Sequence, residues 1–309
     1  MSKKLFYLIG VFLTIIIGTL LYCKLCDSCY CYLYSNVKTE DNSVLSPGVI
    51  ATINPFSIKD ANGDLEFNIK DNLNFKKSNF TIIEPISNEV NIRIIEIKDY
   101  LAVNSLKSIE ITGYYTSVEK NNSAYSNLGL ARANVAKNYL VSTGISSKQI
   151  DTNGDLNDNL LSDNEGIYYG PLLYEISTRK EGDTSREDRI IELVNVIKEN
   201  PIILYFDVGE FTINLTSEQR QKVADISRYI DKVEDAKIHV VGHTDNTGGK
   251  FTNIKLGQDR ADFVKRYLIG NAIPDSKIDA ISKGAESPVS DNATEEGRAK
   301  NRYVLITIN

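Results

Sequence analysis

Two stretches of this chain, 128 residues apart, spell nearly the same helix. LGLARANVAKNYL (128–140) laid on LGQDRADFVKRYL (256–268) agrees at seven of 13 positions: the Leu-Gly start, Arg132-Ala133 with Arg260-Ala261, Lys137 with Lys265, and the Tyr-Leu end. The register runs on through Ile145 on Ile273, Ile150 on Ile278 and Asp151 on Asp279. Upstream, FKKSNF (75–80) falls on FDVGEF (206–211) if loop lengths differ slightly. A duplication of this kind obliges both halves to build the same topology. The length of 309 residues suits two domains of about 150 residues each.

The second copy is the easier to read. Thr184 and Glu187 have the spacing of a capping box for a helix that Pro201 ends, with Ile190, Val194 and Ile197 on one face. IILYF (202–206) reads as a short buried strand. Thr216 starts a helix through about Asp231, KIHVVGH (237–243) alternates as a strand, and a helix follows over 252–269. KIDAIS (277–282) and YVLITI (303–308) are the last strands. Strands alternating with helices predict an α/β fold, a β-α-β-α-β sandwich with helices packed on a mixed sheet. STRKEGDTSRED (177–188), charged and turn-rich, separates the copies, giving domains over 51–178 and 179–309.

Ahead of both copies, Lys3 and Lys4 precede the uncharged run LFYLIGVFLTIIIGTLLY (5–22). Its 18 residues span about 27 Å as a helix, close to the hydrocarbon thickness of a bilayer. Residues 1–22 are therefore expected to be a transmembrane signal anchor, with the lysines inside and the rest outside. All four cysteines follow at once, Cys23, Cys26, Cys29 and Cys31, in a stalk over 23–50 that contains a Pro-Gly pair. In an oxidising compartment they suit local or interchain disulfides, hence a homo-oligomer. Lipid on Cys23 is the rival reading, although Tyr22 stands where a small residue is wanted. An inner-membrane anchor is favoured, with an outer-membrane lipoprotein as the alternative.

Composition trims the functions on offer. The net charge of -6 supplies no basic excess for nucleic-acid phosphates. The folded copies hold no cysteine and the chain has two histidines, His239 and His243, with no third metal ligand in view. No Ser-His-Asp set or zinc motif is evident, so neither an enzyme nor a cofactor is expected.

Residues 202–309 resemble the OmpA-like C-terminal domain, the peptidoglycan-associating module shared with Pal and MotB proteins. The matching residues are YFD (205–207), GHTDNTG (242–248), Asn253, Leu256, Arg260 and Ala261, GAESP (284–288) and EEGRAKNR (295–302), in family order, with 15 residues from Asp245 to Arg260. The resemblance implies binding of the peptidoglycan stem peptide at diaminopimelate, in a Gram-negative envelope. The free end of diaminopimelate carries an ammonium and a carboxylate on one carbon, so its pocket needs one fixed anion and one fixed cation. Asp245 can accept from the ammonium, and Arg260 can grip the carboxylate with its planar fork. Asn253, seven positions earlier on the same helix face, can add a neutral hydrogen bond. By family position Phe206, Asp207, Gly242, Thr244 and Leu256 shape the pocket, and Arg302 flanks it.

The first copy lacks most of this chemistry. Ser117 or Thr116 stands at the place of Asp245, Tyr125 at that of Asn253 and Lys76 at that of Asp207, while Arg132 keeps the arginine. Residues 51–178 are thus expected to be a degenerate copy, a spacer or protein-contact surface. The whole reads as an envelope tether that holds a membrane to the cell wall. The alternative is a structural or stator-like subunit of an envelope motor or secretion complex, but residues 5–22 carry no ionisable group to conduct ions.

Overall fold

The computed structural model describes residues 51–61, 65–207 and 213–309. The expected anchor, cysteine stalk and disulfides lie outside the described residues. Among the described residues no helix is long and apolar enough to cross a membrane.

The first copy runs β1 (Phe56–Lys59), β2 (Glu66–Ile69), β3 (Phe75–Lys76), α1 (Asn88–Val103), β4 (Lys107–Tyr115), α2 (Leu128–Ser142), β5 (Ile150–Leu156), β6 (Ile167–Tyr168) and β7 (Leu172–Thr178). The second runs α3 (Ser185–Glu199), β8 (Ile202–Tyr205), α4 (Ser217–Lys232), β9 (Ile238–His243), α5 (Lys250–Gly270), β10 (Ile278–Gly284), α6 (Glu295–Asn301) and β11 (Tyr303–Ile308). The second sheet has the order β10-β9-β11-β8; β9 and β10 are parallel, and β11 is antiparallel to both its neighbours. In the first sheet, ordered β5-β4-β7, β4 pairs parallel with β5 and antiparallel with β7. Both copies are therefore α/β with a mixed sheet. They differ at one edge: β8 closes the second sheet, whereas the β1–β2 hairpin packs on β7, with the Phe56 ring 4.4 Å from Tyr174 and 5.1 Å from Phe67.

Helix starts follow local chemistry. Thr216 caps α4 in a full capping box, its hydroxyl accepting from the Gln219 N–H while the Gln219 side chain accepts from the Thr216 N–H. The box expected at Thr184 does not form. Arg179 draws Glu187 away through a two-pronged pair at 3.1 and 2.8 Å, and the Asp183 carboxylate accepts from the Ser185 N–H instead. An arginine fork outcompetes a single backbone N–H for a carboxylate.

A glycine pair fixes strand against helix in each copy. A Cβ on Gly242 would sit 1.9 Å from the Gly257 carbonyl oxygen, and one on Gly113 would sit 2.0 Å from that of Gly129. This close approach of β9 to α5, and of β4 to α2, needs bare backbone. It also sets the register between copies: Gly113 matches Gly242, so Thr116, not Ser117, stands at the place of Asp245. Gly242→Ala is expected to cost on the order of 3 kcal/mol, read as a lowered denaturant midpoint, because the helix must move away from the strand.

The described residues form one compact unit, and α2 is the seam within it. Ala124, Tyr125 and Ala131 belong to the same apolar cluster as Ile226, Ile230 and Leu268 of the second copy. The Lys137 ammonium meets Asp231 at 2.5 Å with both side chains mostly or wholly buried. The Asn271 side chain accepts from the Ala124 N–H at 2.6 Å, and Lys232 donates to the Ile150 carbonyl at 2.6 Å. Tyr125, which replaces the polar Asn253, donates to Ser227 across this seam at 3.3 Å.

Candidate functional site

The C-terminal end of β9 delivers Asp245, and α5 carries Asn253 and Arg260 on the face turned toward it; all three are buried. At this depth Asp245 and Arg260 are not exposed surface charges. They are not a pair with each other either. Asp245 pairs with Arg302, which follows α6, at 3.0 Å, and Arg302 reaches Glu295 at 2.8 Å with its other nitrogen. The residue expected to flank the pocket thus holds its acid. Strand pairing explains the contact, since Val304 of β11 lies opposite Gly242 of β9.

Asp245 is held ready as an anion. Burial pushes its carboxyl up, but bonds from the Thr247 hydroxyl and N–H and from Arg302 outweigh that and hold it below its ordinary value of 3.8. Oδ1 takes both Thr247 donors and Oδ2 takes Arg302. A carboxylate has about four acceptor positions, so roughly one remains for an incoming donor.

Arg260 is left with spare donors. It is 1% exposed, donates one hydrogen bond to the His243 carbonyl at 3.3 Å, and makes no ion pair among the described residues. Its Nε has no partner. Burial, then the nearby charge of Arg302, lowers its pKa, while Asp245 raises it. The guanidinium lies 5.6 Å from the centre of the Phe206 ring, which forms one wall. A buried cation in this condition favours any planar anion that can reach it.

The other expected residues take different places. Asn253 donates to the backbone carbonyl of Asp245 at 3.3 Å and so braces the loop. Thr244 does the same at 2.9 Å through its hydroxyl. Gly242 allows the close approach of helix and strand, Leu256 is half-buried on α5, and Asp207 is exposed next to residues outside the described set. Beside Asp245 a cleft is lined by Asn246, Gly248, Lys250, Ile254, Lys283 and Glu286. His243 stacks on Tyr303 with centroids 4.3 Å apart, and among the described residues no group of three metal-ligating side chains converges. Thr247 and Glu295 were not singled out from sequence. Glu295 sits seven positions before Arg302 in EEGRAKNR, a helical spacing that puts the two on one face.

The OmpA family profile matches residues 74–167 and 205–302, together more than half of the chain. The peptidoglycan-binding protein ArfA of Mycobacterium bovis is 40% identical over 87 residues, covering 27% of this chain and 27% of that protein. The peptidoglycan-associated lipoprotein of Buchnera aphidicola is 32% identical over 120 residues, covering 39% of this chain and 68% of that protein. The chain therefore spans only about a quarter of the ArfA length. The crystal structure of the peptidoglycan-associated lipoprotein from Burkholderia pseudomallei aligns at 28% identity and a TM-score of 0.30, over 35% of this chain and 89% of that one. With both matched segments falling on the two mixed-sheet copies, the chain belongs to the OmpA family and carries the family's domain twice.

Proposed function

We propose that this chain is a non-enzymatic envelope tether that binds peptidoglycan through its second OmpA domain. The carrying observation is Arg260, buried and without an ion pair among the described residues, close to an acid held ionised. The free end of diaminopimelate supplies the complementary pair: its carboxylate seats on Arg260 and its ammonium takes the remaining acceptor position of Asp245. Phe206 and the cleft beside Asp245 shape the walls. Residues 5–22 anchor the chain in a membrane, with the inner membrane favoured, and the stalk cysteines join neighbouring copies. The first domain is a structural mate that braces the second.

The test is co-sedimentation of the detergent-solubilised full chain with purified peptidoglycan. Asp245→Ala is expected to abolish pelleting, and retained pelleting would refute the site. Acidity gives a second check. The folded pKa of Asp245 lies below its ordinary 3.8, so its carboxylate survives as pH falls through that value. Binding, and the stability contributed by the Arg302 pair, are both present above 3.8 and lost only below it. A binding curve that fell away near pH 6 would contradict this assignment.

A further inference from the structure

The first domain keeps the arginine, and the structure shows what the arginine holds. Arg132 Nη2 meets Glu119 Oε1 at 2.5 Å and Nη1 meets Oε2 at 3.2 Å, a two-pronged grip with both side chains 0% exposed. The remaining donors of Arg132 go to the carbonyls of Tyr114 at 2.8 Å, Asn79 at 3.0 Å and Lys76 at 3.3 Å. Every nitrogen is engaged, where Arg260 makes a single bond. The surroundings otherwise match: Phe75 lies 5.6 Å from Arg132 as Phe206 lies 5.6 Å from Arg260, and the Tyr114 carbonyl answers to that of His243.

We propose that Glu119 is a built-in carboxylate ligand: the first domain retains a carboxylate-binding site around Arg132, permanently filled by its own chain. Glu119 comes from the loop after β4, three residues past Thr116; the matching loop position past Asp245 is Gly248, which has no side chain to reach inward. The same carboxylate also accepts from the Ser78 N–H at 2.8 Å and the Thr116 N–H at 3.0 Å, so it ties two loops across the pocket mouth. The place of the ligand's ammonium is lost as well, because Thr116 is neutral and Tyr125 is turned into the seam. A site of this kind selects a small carboxylate, not a zwitterion. The inference takes from the proposed function only the role given to Arg260, and its test does not read wall binding.

Thermal unfolding of the full chain in sodium acetate and in sodium chloride of equal ionic strength provides that test, with Glu119→Ala set against wild type. In chloride the variant should unfold about 10 °C lower, because Arg132 is left buried without its anion. Acetate should then restore several degrees saturably, in excess of any wild-type response. Stabilisation through Arg260 is common to both chains and cancels in the difference. Adding Arg132→Met to Glu119→Ala should remove the excess. An acetate response no larger than that of wild type, or failure of the variant to fold in either salt, would overturn the proposal.

Discussion

Arg260→Ala is expected to weaken peptidoglycan binding by at least ~100-fold while leaving the unfolding midpoint within about 3 °C of the parent. The affinity loss follows from removing a buried cation that meets a ligand carboxylate, an effect of about 2–5 kcal/mol. The small stability effect follows from what Arg260 lacks in the free protein. It makes one hydrogen bond of 3.3 Å, and its charge is penalised first by burial and then by Arg302. A base whose folded pKa is lowered costs stability in its charged form, so truncation relieves that cost and offsets the lost packing on Phe206. Among the described residues Arg260 pairs with no carboxylate, so its truncation strands none. A sedimentation isotherm and a melting curve on one preparation read both halves of the expectation.

The same truncation at Arg132 should give the opposite pattern. Arg132→Ala leaves the Glu119 carboxylate buried with no cation, its remaining donors the Ser78 and Thr116 N–H groups and, at 3.5 Å, the Thr116 hydroxyl. Removing one partner of a buried pair costs about 3–5 kcal/mol, which for a unit of this size lowers the midpoint by roughly 10 °C. Binding measured well below that midpoint should match wild type. Tyr125 and Ala131 are built into the core of the second domain, so the loss should appear as one cooperative transition. An early, separate transition for the first domain would show that the seam is weaker than its buried Lys137–Asp231 pair implies.

Legibility in the sequence tracked how local each feature is. YVLITI is a strand at the residues expected, and Thr216 starts its helix, because alternation and a capping box are decided within a few residues. Asp245 and Arg260 stand out because the family motif places them, and one strand and the next helix bring them close enough for the Asp245 charge to act on Arg260. The partner of Asp245 was less legible. Arg302 is 57 positions away, and only the pairing of β11 with β9 carries it there. Glu119 carried no signal at all, since a lone acid in a loop has no periodicity and its meaning lies in the pocket it fills. The failed box at Thr184 has the same root. Its glutamate had a stronger suitor in Arg179, eight residues upstream.

In the proposed complex Arg260 holds the carboxylate of diaminopimelate, and one comparison removes only that group. Lysine-type peptidoglycan keeps the side-chain amine of the stem peptide and lacks the second carboxylate. Sedimentation of the full chain with the two wall types, at matched salt, is expected to show diaminopimelate-type wall bound at least ~100-fold more tightly, as loss of a charge-assisted, two-pronged contact demands. Equal binding of both wall types would contradict the account.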